Sequence, residues 1–129
     1  MTTLTLHPLI ARLTDEFGWP MLTNAHDVAE FTGRPGVHAI FVPGDAARNL
    51  ETPDVAVILP ELKMAFQGAF DCAICDGPTE STLKEATKVH KTPSILFYRG
   101  GQFLAGIPRV RDWDDYVVRI TQILAQPAA

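Results

Sequence analysis

Cys72-Ala73-Ile74-Cys75 is the short pattern in this chain whose residue types could carry covalent chemistry. A Cys-x-x-Cys pair exchanges disulfides when its surroundings lower the pKa of one thiol, or supplies half of a tetrahedral zinc site. Here the pair sits inside Phe70 to Cys75, an apolar run that reads as a strand. In a strand, residues three apart face opposite sides with Cα atoms ~10 Å apart, whereas a disulfide needs roughly 4.4–6.8 Å. Zinc would need two more ligands, and His7, His26, His38 and His90 are scattered without a second Cys-x-x-Cys or a His-x₃-His. The reading is therefore two buried, reduced thiols, with no metal set. The competing use is a thiol–disulfide or single-thiol redox protein working through Cys72 or Cys75, which requires an exposed sulfur of low pKa.

The remaining polar residues offer binding more readily than catalysis. Asp45, Glu51, Asp54 and Glu61 cluster against Arg48 and Lys63, which predicts a negative region. His38 lies in an apolar run with no Ser or Cys nucleophile beside it, so it reads as a core or cleft histidine. Trp19 and Trp113 fall at helix boundaries and read as packing anchors. Asp112, Asp114 and Asp115 suit a helix N-terminus. Gly100-Gly101 is a turn, with neither a Walker motif nor a dinucleotide fingerprint, and no cofactor is expected.

These residues must be placed by a small scaffold. The chain has 129 residues, 47% hydrophobic and 20% charged, with a formal charge of −4. That fits a single domain spanning 1–129 and excludes a disordered chain. It leaves nucleic-acid binding without an electrostatic basis. The start, Met1 to Pro8, lacks the pattern of a secretory signal. The longest apolar run, Val55 to Leu59, is far below the ~20 residues that span a bilayer. A soluble cytoplasmic protein is expected.

Leu6, Leu9, Ile10, Leu13 and Phe17 recur at helical spacing up to Gly18, and Asn24 can cap a short helix to Phe31. Residues 1–36 thus form an N-terminal helical segment ahead of a core over 37–125, with 126–129 a frayed tail. Val37 to Val42 reads as a buried strand, Pro43 to Pro53 as a long polar loop, and Val55 to Phe66 as a helix with Pro60 as a kink. The strand at Phe70 to Cys75, a helix from Thr79 to His90, a hairpin of Ser94–Tyr98 with Gln102–Ile107, and a helix through Trp113 to Leu124 complete the order. Strands alternating with helices, then a hairpin, predict an α/β/α sandwich around a mixed sheet with an antiparallel C-terminal edge.

That order, with Lys91-Thr92-Pro93-Ser94-Ile95-Leu96-Phe97-Tyr98-Arg99-Gly100-Gly101, resembles thioredoxin from about Val37 to Leu124. The resemblance implies a thioredoxin-like α/β fold, a structural cis-proline at Pro93, and Gly106 as the glycine before the last helix. It also implies that Asn49 and Thr52 stand where a working thioredoxin carries its two cysteines, so redox catalysis is not expected. Pro43-Gly44-Asp45, Glu51 to Leu62, Phe17-Gly18-Trp19-Pro20 and Asn24 to Gly36 together resemble the HupG/HyaE-type hydrogenase accessory proteins. That resemblance implies a non-catalytic chaperone in maturation of uptake nickel–iron hydrogenase. Its expected partners are the small subunit, its twin-arginine signal peptide, or other accessory proteins. On this reading Asp45, Glu51, Asp54 and Glu61 bind the arginines and apolar surface near Pro93 takes the hydrophobic part. A scaffolding subunit of a larger complex is the third possibility.

Overall fold

The computed structural model describes residues 7–126. The expected helical position at Leu6 and most of the 126–129 tail lie outside them. The elements are α1 (Pro8–Asp15), β1 (Met21–Leu22), α2 (Ala25–Gly33), β2 (Val37–Val42), α3 (Thr52–Ala65), β3 (Phe70–Cys75), α4 (Gly77–Thr87), β4 (Ser94–Arg99), β5 (Gln102–Pro108) and α5 (Trp113–Leu124).

The five strands make one sheet in the order β1-β3-β2-β4-β5. β1 and β2 run parallel to β3, while β4 is antiparallel to both β2 and β5. All six residues of β2 are buried, as its unbroken apolar run requires of a central strand covered on both faces. One core holds Ile10, Leu13, Phe41, Leu59, Phe70, Phe97 and Tyr116, with Cys72 among them. The other holds Leu22, Phe31, Ile40, Ala73 and Leu96, with Cys75. The expected mixed α/β sandwich is the observed one.

Local chemistry sets the element ends. The Asn24 side chain accepts the Asp27 amide at the start of α2 (2.8 Å), and Asp76 accepts the Thr79 amide at the start of α4 (2.9 Å). Two details differ from the sequence expectation. Met21–Leu22 forms an edge strand against Ile74 and Cys75, too short for any periodicity to announce it. α4 stops at Thr87 rather than His90, because Lys88 turns left-handed (φ 62°) and its amide bonds back to the Lys84 carbonyl (2.9 Å). Pro60 lies inside α3 without ending it.

Candidate functional site

Val42 pairs with Ser94, and Ser94 with Pro108. The loops beyond β2, before β4 and after β5 therefore meet at one end of the sheet. The Thr92–Pro93 peptide bond there is cis. Gly44 has φ +71°, and a Cβ on it would overlap Thr92 Oγ1 and lie 2.5 Å from Asn49 Nδ2. The loop can approach this closely only because Gly44 has no side chain. Its amide donates to Glu80 Oε1 (3.0 Å).

Asn49 and Thr52, the residues that the thioredoxin resemblance puts in place of sulfurs, both serve the loop. Asn49 Nδ2 donates to Thr92 Oγ1 (3.1 Å), tying the loop to the residue before Pro93. Thr52 is fully buried and its hydroxyl donates to the Pro43 carbonyl (2.7 Å). Neither group is a nucleophile for disulfide exchange.

The four carboxylates predicted to act together are separated. Glu51 is clasped by the segment after β5: Arg109 Nε donates to Oε1 (3.1 Å) and Oε2 (3.2 Å), Arg109 Nη2 also contacts Oε2, and the Val110 amide donates to Oε1 (2.8 Å). Those donors, Arg109 first, hold its pKa down at about 2. Asp45 is exposed and engaged within its own loop, accepting the Ala47 amide (2.9 Å) and lying 3.7 Å from Arg48. Asp54 and Glu61 are exposed on the outer side of α3 and join no ion pair among the described residues. Their spacing puts them on one helix face with Val57 (41% exposed) and Met64 (70%), just beyond Leu50 (86%).

The cleft beside Pro93, about 490 Å³, is lined by Arg48, Lys91 and Arg109 against Glu51 alone, with Asn49, Leu50 and Thr92 between them. Where apolar surface is expected near Pro93 the cleft is rich in basic groups, and the exposed acids Asp54 and Glu61 lie on the helix face outside it. Lys91 and Arg109 are distant in sequence from the acidic loop, so neighbouring charges alone concealed this.

Cys72 and Cys75 are buried, one in each core, and burial first of all pushes each thiol up to about 12. His38 is buried, with Nε2 2.9 Å from the Arg34 carbonyl and Nδ1 3.6 Å from Asp71 Oδ2. Trp19 is buried as expected of an anchor, but Trp113 is 45% exposed, because the first turn of α5 turns it outward. Among the described residues no group of three or more His, Cys, Asp or Glu side chains could hold a metal ion, and no helix is long and apolar enough to cross a membrane.

A five-stranded mixed sheet between helices, with a cis-proline opposite a loop free of cysteine, defines a thioredoxin-like domain without the dithiol. Solved thioredoxins share this fold at low identity. A variant thioredoxin from Halobacterium salinarum superimposes with TM-score 0.66 at 15% identity, covering 84% of this chain and 93% of that one. A HupG hydrogenase expression/formation protein from Rhodopseudomonas palustris superimposes with TM-score 0.54 at 30% identity, covering 82% and 95%. In sequence, the hydrogenase expression/formation protein HupG of Rhodobacter capsulatus is 66% identical over 119 residues, 92% of this chain and 86% of the relative. HoxO of Azotobacter vinelandii, with the same description, is 38% identical over 120 residues, 93% and 80%. The family model for the hydrogenase-1 expression protein HyaE matches residues 9–116, and the chain belongs to that family.

Proposed function

We propose that this chain acts in hydrogenase maturation as a non-catalytic binding domain for the small subunit of an uptake hydrogenase, which it holds by the twin-arginine signal segment. The process comes from the relatives, which are hydrogenase expression/formation proteins. The observation that carries the binding mode is the outer face of α3. Asp54 and Glu61, both without an internal partner among the described residues, alternate there with Val57 and Met64. Free carboxylates beside exposed apolar groups suit a segment in which arginines precede a hydrophobic stretch, since a guanidinium pairs well with a carboxylate. Glu51 and Asp45 are engaged within the chain and take a structural part. The reading places the chain in the cytoplasm, where free thiols stay reduced.

Calorimetric titration with the signal peptide of the small subunit tests this. Asp54→Asn with Glu61→Gln is expected to weaken binding about tenfold, the loss of one to two charge-assisted contacts. Asp45→Asn is expected to leave it unchanged. Equal affinity for the double variant and the parent protein rejects the assignment of these carboxylates.

A further inference from the structure

His38 joins three elements through one imidazole ring. It stands in register with Asp71 on the parallel strand β3, and its side chain is 1% exposed. Nε2 lies 2.9 Å from the carbonyl of Arg34, the residue at the C-terminal end of α2. A carbonyl only accepts, so Nε2 carries a hydrogen whether or not the ring is charged. In the neutral ring Nδ1 is then a bare acceptor. It faces Asp71 Oδ2 at 3.6 Å and has no hydrogen-bond partner among the described residues. Two acceptors oppose each other there, and one added proton makes them a donor and an acceptor.

The charges around the ring suit that proton. Asp71 supplies a carboxylate from β3, and the last carbonyls of α2 carry partial negative charge. On α2, Glu30 is engaged by Arg34 (3.7 Å) and His26 (3.7 Å), and Phe31 brings its ring centroid to 5.1 Å from the imidazole. Tyr98, opposite His38 on β4, stays neutral, because burial pushes its phenol up to about 12. Lys63 of α3 borders the same hollow as Asp71 and Arg34. The start of β3 also has little else to hold it. β1 pairs with Ile74 and Cys75 alone, so Asp71 has a strand, β2, on one side only.

We propose that His38 and Asp71 form a proton-operated clasp. When the ring takes a second proton from solvent, Nδ1–H donates to the Asp71 carboxylate while Nε2–H stays on the Arg34 carbonyl. One imidazolium then ties the start of β3 to the end of α2. The Asp71 side chain is 61% exposed, so it is free to close the gap to the roughly 2.7–2.9 Å of a charge-assisted bond. When the proton leaves, Nδ1 is an acceptor again, the carboxylate turns to solvent and the tie opens. Imidazole is the side chain that changes charge between pH 5 and 8. The bond exists only in the protonated form, so the stability it adds is present toward pH 5 and lost as pH rises toward 8.

Proton–carbon NMR of the four histidines reads the clasp, with His7, His26 and His90 as internal references. Asp71→Asn is expected to lower the midpoint of the His38 titration by about one unit and to leave the other three in place. Asp71→Glu, which keeps the carboxylate, should lower it less. Amide exchange at Asp71 and Cys72, corrected for its intrinsic pH dependence, should be about tenfold slower at pH 5.5 than at pH 8 in the parent protein. In Asp71→Asn the two rates should be equal. Circular dichroism checks the fold of Asp71→Asn, and should it fail, Asp71→Glu and the exchange of the parent protein decide. The proposal is overturned by a His38 midpoint that Asp71→Asn leaves unchanged or raises. Protection at Asp71 and Cys72 that ignores pH, or a neutral ring carrying its hydrogen on Nδ1, overturns it equally.

Discussion

Cys72 and Cys75 show how much more than spacing a dithiol requires. They lie on opposite faces of β3, in separate cores, and burial pushes each thiol up to about 12. A thiol so placed is almost wholly protonated near neutrality and shielded from solvent. Ellman's reagent is therefore expected to find no fast-reacting sulfur in the native protein and both in denaturant, and insulin reduction should stay at background. Rapid labelling of either cysteine in the folded state would contradict this. Glu51 is the opposite case, an ionised group stabilised by its neighbours. Its folded pKa, about 2, lies below the ordinary 4.5. The stability it contributes is thus fully present above 4.5 and is lost as pH falls toward 2. Removing its charge by Glu51→Gln should lower stability by about 1 kcal/mol at neutral pH, the worth of a charge-assisted bond reduced by the solvent exposure of the Glu51–Arg109 pair. Urea unfolding across the acid range should show that difference shrink below pH 4.5, where a constant gap would mean that the carboxylate charge is irrelevant.

At the scale of elements, the loop between β2 and α3 is fixed from three sides: Gly44 against Thr92, Asn49 donating to Thr92, and Thr52 donating to Pro43. Gly44→Ala has no room for its methyl group and adopts φ +71° at a cost. It should destabilise the domain by about 1–3 kcal/mol, read as a lower urea midpoint at unchanged slope. Gly18→Ala, which also has positive φ but open space around it, should cost less. An equal cost at the two positions would remove the interlock as the cause. Local pattern made much of this scaffold legible. The apolar runs of β2 and β3, the hairpin at Arg99-Gly100-Gly101 and the amphipathic α5 each declare themselves within a few residues. β1 did not, since two residues carry no period, and neither did the end of α4, where Lys88 adopts a left-handed conformation without a glycine to mark it. The candidate site was legible in composition and not in arrangement. Its acids stand together in sequence, yet Arg109, which claims Glu51, arrives 58 residues later, and Lys91 reaches the cleft from before β4. Only the folded sheet brings those charges together.

Across the whole molecule, the exposed acids of α3 and the basic cleft beside Pro93 are set apart. Asp54 begins the acidic face in the first turn of α3, and Glu61 continues it seven residues on, about 10 Å along the helix axis. A segment carrying two arginines can therefore lie along that face without entering the cleft, where Arg48, Lys91 and Arg109 would repel it. In the titration with the twin-arginine peptide, Lys91→Gln should leave the affinity within about twofold, a difference under 0.5 kcal/mol, while Asp54→Asn with Glu61→Gln weakens it about tenfold. A tenfold effect of Lys91→Gln would instead make the cleft, and not the α3 face, the seat of the peptide.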